Sequence, residues 1–560
     1  MSDSSLIVNE LRRELVNLEN GILKEVIGTQ QQVSRVDSKV LEVSNEVRST
    51  QEELAELHRQ FMDYVGEARR VAAVQRAETK LGTLKADLER DYGHYKVVRR
   101  SSIGLLQAFD VGNVSESTAN QISEELIERL RASGDPARTV ARNAVTVAGI
   151  EAASTDRDRV IATPTVVSDR IDDWKVTSQK KSGRCWLFSS LNLIRSAARE
   201  RLGLKDFEFS QNYVFFWDKF ERANWFLTDI IATAATEDLD GRLLQFLLAD
   251  VLSDGGQWDM AVSLYVKHGL VPKQAMPETE SSSNSRRMNT LLQVLLRRTA
   301  LELRELVAQG AADEAVAAAK EKALAQVWRI LVISLGEPPA SFEWEWRDDK
   351  GDFHRDGALT PREFFARYVE ADLTQYVCLV DDPRREHPKG RALTVDHLGN
   401  VVGGRPIRYI NAEMGTIKRL AADSLRAGKP VWFGADCSQQ SDRKSGLFVE
   451  GLFDFSSLFG VDLAMTKEQR VNTGESAMNH AMLFTGVDVD EAGAPRRWRV
   501  ENSWGEEPGD KGFFTMDDAW FSEYVFEVVV PVDSLPAELV GALTEEPAHL
   551  PAWDPMGTLA

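Results

Sequence analysis

The sequence predicts an α+β fold that is preceded by a long helical coiled coil. Its 560 residues exceed the roughly 250–300 at which a single hydrophobic core stops growing. Apolar residues in the first ninety positions recur at alternating steps of three and four, whereas the remaining chain alternates helix-like and strand-like stretches. The composition, 43% hydrophobic and 28% charged, is that of an ordinary globular protein. We therefore expect two or three structural units.

The first predicted unit, residues 1–90, carries a narrow apolar seam with a stutter of two four-residue steps through Ile22. So narrow a seam buries too little surface unless helices meet, which favours an oligomerisation stalk over a single helix folded back on its own domain. Valine at both seam positions between residues 33 and 47 favours three or more strands, and a trimer is expected. Residues 91–116 are interpreted as a connector. The seam comprises Val8, Leu11, Leu15, Leu18, Ile22, Val33, Val36, Val40, Val43, Val47, Leu54, Leu57, Phe61 and Tyr64.

The second predicted unit, residues 117–560, mixes helices and strands. Residues 286–335 have the period of two helices and are interpreted as a helical insertion. The segment from Thr360 to Glu363 joins a capping-box pattern to proline at the first helical position, so a helix is expected to begin there and to run through Val369. Near the carboxyl end, β-branched and aromatic runs broken by Gly, Asp and Pro are typical of antiparallel strands.

Charge and cysteine usage restrict the possible functions. A net charge of −20 and a pI near 5.1 argue against binding to a phosphate backbone. We find no apolar run long enough for a membrane span, no signal peptide, no metal motif and no phosphate-binding loop, so no cofactor or metal is expected. The three cysteines (Cys185, Cys378 and Cys437) are too few for a disulfide framework, which favours a reducing, cytoplasmic location.

Cys185 is the candidate nucleophile. It directly precedes an apolar-periodic helix, whose unpaired N–H groups would stabilise a thiolate. A lone cysteine before apolar residues is more often a core residue, so the decision depends on its partners. His480 opens one strand-like run and Asn502 ends the next, and adjacent strands could place the two side by side.

Three motifs together resemble the papain clan: Gln179 with Cys185-Trp186, then Asn-His480-Ala, then Asn502-Ser-Trp504-Gly. The segments SGRCWLFSSLN, FSQNYVFFWDK, SDGGQWDM, ENSWG and LPAWDPMGTLA narrow the resemblance to the bleomycin hydrolase and bacterial aminopeptidase C family, over about residues 117–560. The resemblance implies a papain-like fold with a helical part and an antiparallel β part.

The resemblance also implies roles for these residues. Cys185 would be the nucleophile, His480 the acid and base, and Asn502 the group that orients His480. Gln179 and the Cys185 N–H would form the oxyanion hole, Trp504 would shield the bond between His480 and Asn502, and Trp186 would be a supporting residue. The chain departs from the papain signature at position 182, where Ser182 replaces a cysteine.

Two further segments bear on substrate binding. Gly255 and Gly256 resemble the glycine pair whose backbone binds extended substrate in papain-like enzymes, although a simple turn is the alternative. The C-terminal arm, residues 547–560, resembles a tail laid into the cleft, where the carboxylate of Ala560 would pair with the substrate's α-ammonium. A disordered tail is the alternative.

The expected function is hydrolysis of N-terminal residues from peptides by a cysteine aminopeptidase. The resemblance implies a homohexamer with active sites that face an internal channel. Two alternatives remain open: an amide hydrolase that acts on a peptide-like antibiotic, and a coiled-coil scaffold whose peptidase unit has become a binding module. Motifs do not specify the preferred N-terminal residue.

Overall fold

The computed structural model describes residues 122–132, 136–171, 175–369 and 372–559. The predicted stalk, the predicted connector and Ala560 lie outside the described residues. The chain divides into two compact units, Met1–Gly134 and Asp135–Ala560. In the first unit the described element is an amphipathic helix, Glu124–Ala132, with acidic residues in its first turn and basic residues in its last. The second unit contains all the other elements described below.

The described helices are mostly in the amino-terminal two thirds of the second unit. None of the described helices has both the length and the apolar character that a membrane span requires. The helices are α1 (Glu124–Ala132), α2 (Pro136–Ala148), α3 (Ile150–Ser154), α4 (Arg157–Ala162), α5 (Cys185–Leu202), α6 (Gln211–Thr233), α7 (Arg242–Ala249), α8 (Trp258–His268), α9 (Glu280–Ser283), α10 (Arg286–Ala308), α11 (Asp313–Leu335), α12 (Pro361–Tyr368), α13 (Met414–Arg426), α14 (Phe455–Phe459), α15 (Lys467–Thr473), α16 (Asp518–Tyr524) and α17 (Ala537–Val540).

The strands form one large sheet and a separate hairpin. They are β1 (Asp169–Arg170), β2 (Phe342–Arg347), β3 (Phe353–Leu359), β4 (Tyr376–Val380), β5 (Ala392–Val395), β6 (Tyr409–Asn411), β7 (Val431–Ala435), β8 (Ser441–Asp442), β9 (Leu447–Phe448), β10 (His480–Val489), β11 (Pro495–Glu501), β12 (Phe513–Asp517), β13 (Val525–Pro531) and β14 (Ala548–Leu550). The order in the sheet is β14-β5-β6-β4-β13-β7-β10-β11-β12-β9-β8, with β1 also paired to β10, and β2 pairs with β3.

This architecture confirms the expected mixture of helices and an antiparallel sheet. The central pairs, from β4 through β13, β7, β10 and β11 to β12, are antiparallel. Residues 286–335 form the two helices α10 and α11, which pack on each other and on α6. Helix α12 begins as the sequence indicates, with a complete capping box between Thr360 and Glu363, and Val369 is its C-cap.

Strand β10 contributes to two hydrophobic cores, because successive side chains of a strand point to opposite faces of the sheet. Ala481 and Leu483 belong to the core that includes α5 and α6. Met482 and Phe484 belong to the core on the other face, which is covered by α13. The strand that begins with His480 is therefore fixed from both sides.

A buried ion pair connects α5 to β11. Arg195 of α5 lies 2.6 Å from the Oε1 atom of Glu501, the last residue of β11. Asn192, one turn earlier in α5, donates to the same oxygen at 2.8 Å. Because α5 begins at Cys185 and Asn502 follows Glu501 directly, this contact fixes the helix that carries one candidate catalytic residue against the strand that precedes another.

We expect Glu501→Gln to lower the free energy of unfolding by about 3 kcal/mol, because it removes a buried negative charge that lies 2.6 Å from Arg195. The change would be measured as a fall in Tm by scanning calorimetry. Glu345→Gln is the matched control: Glu345 pairs with Arg355 at 2.6 Å, but the two side chains are 42% and 62% exposed. The control should cost less than about 1 kcal/mol, and an equal fall in Tm for both variants would contradict the prediction.

Candidate active site

Cys185 is the first residue of α5 and is only 2% exposed. Burial raises the pKa of its thiol to about 11, while the backbone N–H groups of Ala481, Trp186 and Cys185 itself act in the opposite direction. The charge of Asp254 adds to the increase. The contact with Ala481 places the thiol beside the first residues of β10. A thiolate here is therefore stabilised by N–H groups rather than by solvent.

His480 begins β10 and forms the predicted pair with Asn502. Its Nε2–H donates to the Oδ1 atom of Asn502 at 2.9 Å, and the same oxygen accepts from the N–H of Ser503 at 2.7 Å. Because Asn502 Oδ1 only accepts, the bond fixes the ring tautomer and leaves Nδ1 with the lone pair. The Trp504 ring stacks on the imidazole with 4.8 Å between centroids and 26° between planes. The geometry provides a fixed and shielded base beside a buried thiol.

Burial lowers the pKa of His480 to about 4, although the hydrogen bond that His480 donates to Asn502 raises it, and the positive charge of Arg443 lowers it further. Each charged form, thiolate or imidazolium, is thus disfavoured when it occurs alone. Transfer of the thiol proton to the imidazole creates both charges together, and their mutual attraction compensates part of the cost of burial.

Gln179 lines the same cleft as Cys185 and His480, a space of about 550 Å³. Its Oε1 atom accepts from the Ser503 hydroxyl at 2.5 Å, and its backbone N–H donates to the Ser503 carbonyl at 2.8 Å. One proton of its side-chain amide is used by the Ser182 carbonyl at 2.6 Å. The second amide proton is the one that could reach a substrate oxygen.

The two predicted substrate-binding glycines have different surroundings. Gly255 lines the cleft, but its carbonyl accepts from Arg222 and its N–H lies 3.3 Å from the Ser253 hydroxyl. A Cβ at Gly256 would lie 2.5 Å from the Trp186 ring. The second glycine is therefore required for packing of the fully buried Trp186. Contact between Gly255 and a substrate stays a prediction.

Asp254, which the sequence reasoning missed, connects the nucleophile loop to the inserted helices. Its carboxylate accepts from the Gly183 N–H at 3.2 Å, from Lys219 at 2.7 Å and from Asn289 at 2.6 Å, and it also binds the Ser285 hydroxyl. Burial opposes ionisation, but Lys219 and these donors hold the pKa of the Asp254 carboxyl far below its usual range. Its place directly before the glycine pair was the available sequence signal.

The C-terminal arm reaches the cleft. Asp554 forms two hydrogen bonds with Arg384, at 2.9 and 2.7 Å, and the carbonyl of Thr558 accepts from Gln257 at 2.6 Å. Leu559 borders both the catalytic cleft and an adjoining cavity of about 670 Å³. The arm is thus attached along its length up to Leu559, and Ala560 lies outside the described residues.

Comparison with known proteins covers the same part of the chain. The peptidase C1-like family matches residues 118–557. Aminopeptidase C of Lactobacillus helveticus is 42% identical over 447 residues, which are 79% of this chain and 99% of that protein. Human bleomycin hydrolase is 44% identical over 391 residues, 69% of this chain and 86% of that protein. The crystal structure of PepW from Lactobacillus rhamnosis HN001 is 44% identical, covers 79% of this chain and 100% of that chain, and has a TM-score of 0.77.

In a Cys185→Ala background, we expect Asn502→Ala to lower the pKa of His480, because the hydrogen bond to the Asn502 oxygen is the interaction that raises it. Arg443→Gln in the same background should raise the pKa, because it removes a nearby positive charge. The measurement is an NMR titration of the His480 ring, assigned with a His480→Gln variant. Shifts of the same sign in the two variants would contradict the assignment.

Proposed function

The chain belongs to the peptidase C1-like family and is a cysteine-type aminopeptidase, and on that premise we propose that it works through Cys185, His480 and Asn502 with a C-terminal gate. The observation that carries the proposal is the 2.9 Å bond between His480 and Asn502, under Trp504 and beside the start of α5. An imidazole fixed in one tautomer next to a buried thiol is the arrangement that activates a sulfur nucleophile.

In the proposed cycle, His480 Nδ1 takes the thiol proton while Cys185 Sγ bonds to the carbonyl carbon of the first peptide bond. The oxyanion that forms accepts from the Cys185 N–H and from the second amide proton of Gln179. The carbon–nitrogen bond then breaks, and the imidazolium returns its proton to the leaving amine. His480 next takes a proton from water, whose oxygen attacks the thioester and releases the free amino acid and the thiol.

The C-terminal arm would convert this site into an exopeptidase. Leu559 borders the catalytic cleft, so the chain end that follows it would meet the amino end of a bound peptide. A carboxylate there would pair with the substrate's α-ammonium, and the arm itself would block longer amino-terminal extensions. The contacts of Asp554 with Arg384 and of Thr558 with Gln257 support an arm that keeps one position.

We further propose that residues 1–90 form a coiled-coil stalk, that residues 91–116 connect it to the peptidase unit of residues 117–560, and that the enzyme is a homohexamer in the cytoplasm. Free thiols at Cys185, Cys378 and Cys437 support a reducing compartment.

An activity on a peptide-like antibiotic is the second candidate function, because relatives named bleomycin hydrolase are as similar to this chain as those named aminopeptidase C. Such an activity would use the same residues.

We expect the wild-type enzyme to release fluorophores from free aminoacyl amides and to leave N-acetylated ones intact. Cys185→Ala should reduce turnover to background. A variant that lacks residues 557–560 should gain activity on acetylated substrates, because the charge and bulk that exclude them are removed. Gln257→Ala, which loses only the hydrogen bond to the Thr558 carbonyl, is the matched control and should gain less activity on acetylated substrates. If the wild-type protein shows no turnover, or if its turnover does not depend on Cys185, the scaffold alternative would be favoured.

The stalk is tested by the size of full-length protein and of a variant that lacks residues 1–95. We expect both proteins to form particles of six chains at high concentration. On dilution, the truncated protein should dissociate at a higher protein concentration than the full-length protein, because a coiled coil raises the effective concentration of the attached units. Size-exclusion chromatography with light scattering over a dilution series measures this. Identical dissociation of the two proteins would exclude an assembly role for residues 1–90.

A further inference from the structure

Arg443 is an exposed cation at the edge of the catalytic centre. Its guanidinium lies 4.8 Å from the centroid of the Trp504 ring, which itself stacks on His480. Within the part of the chain that the structure describes, the Arg443 side chain has no ion pair and donates no hydrogen bond. The adjacent carboxylate of Asp442 is occupied by its own turn, where it accepts from the N–H of Lys444 at 3.0 Å and from the hydroxyl of Ser445 at 2.5 Å.

Arg443 and Trp504 lie outside the two spaces that Leu559 borders. Leu559 borders the cleft and the adjoining cavity, and neither Trp504 nor Arg443 is among the described residues that line these two spaces. Trp504 instead pairs with Ser178, next to Gln179. In the proposed cycle His480 protonates the leaving amine, so the leaving fragment lies on the side of His480, where Trp504 stacks on the imidazole and Arg443 lies over Trp504.

The cavity beside Leu559 carries exposed carboxylates. Asp250 and Glu475 line it and have no ion-pair partner among the described residues. The catalytic cleft itself is lined by two exposed cations, Lys181 and Arg286, so charge alone does not divide the cleft into an acidic and a basic end. An ammonium at the amino end of a short peptide would find a counter-charge in the cavity, and a carboxylate at the other end would find one at Arg443.

We propose that Arg443 binds the free C-terminal carboxylate of the leaving fragment, so that short peptides with an unblocked carboxyl end are the preferred substrates. A guanidinium that lies over an indole ring keeps N–H groups free, and their fork geometry matches the two oxygens of a carboxylate. This inference rests on the proposed function, because it assumes that the arm sets the direction of the substrate.

The test compares X-Gly-Gly with its C-terminal amide, where X is the residue that the enzyme removes fastest from an aminoacyl-fluorophore. We expect wild type to prefer the free acid by about fivefold to tenfold in kcat/KM, mainly through KM, since the charge pair is partly exposed. Arg443→Gln should bring the two substrates to within about twofold, and Arg443→Glu should invert the preference. Raising the salt concentration should weaken the wild-type preference.

Lys444→Gln is the matched control, because Lys444 is an equally exposed neighbouring cation without a contact to Trp504. It should keep the preference, and Arg443→Lys should keep part of it. Equal rates for the acid and the amide in wild type, or an unchanged preference in Arg443→Gln, would overturn the proposal. Fluorophore turnover, which involves no carboxylate, is the reference: if wild type fails there, the proposed function is wrong, whereas normal turnover with no acid preference rejects only the role of Arg443.

Discussion

The buried ion pair between Arg195 and Glu501 is the constraint on which the catalytic geometry depends. It fixes α5 against β11 at a point where both charges are excluded from water, and Asn192 shares the same carboxylate oxygen. Cys185 begins the helix on one side of this contact, and Asn502 follows the strand on the other. Such a pair adds little net stability, but removal of one of its buried charges is costly, so the pair selects one alignment of helix and sheet.

Burial then determines the chemistry of the site. The thiol of Cys185 and the imidazole of His480 are both held away from solvent, and each would remain neutral without the other. A few fixed groups favour the charged forms instead: backbone N–H groups at the thiol, and the Asn502 oxygen at the imidazole. Trp504 covers that oxygen's bond to His480 and keeps water from competing for it. The site is thus prepared for proton transfer within the pair.

The substrate cleft is shaped by parts of the chain that are distant in sequence. The arm closes one end at Leu559, and α10, held to the nucleophile loop through Asp254, forms a wall beside Cys185. Asp250 and Glu475 line the cavity beside the arm, whereas Lys181 and Arg286 line the cleft and Arg443 lies over Trp504. In a protein with a net charge of −20, these exposed cations give the catalytic centre a local charge that the overall charge does not reveal.

The sequence by itself determined the family, the α+β class and the identity of the candidate catalytic residues, because these depend on short motifs whose local structure is largely self-contained. The capping box at Thr360 and the two helices in residues 286–335 could be predicted for the same reason, because each follows from a local sequence pattern. Only the tertiary structure decided that Gly256 makes room for Trp186, that Lys219 holds the charge of Asp254, and that Arg443 lies on Trp504. These contacts join residues tens of positions apart, and no local spacing or propensity encodes a contact that exists only after the chain has folded.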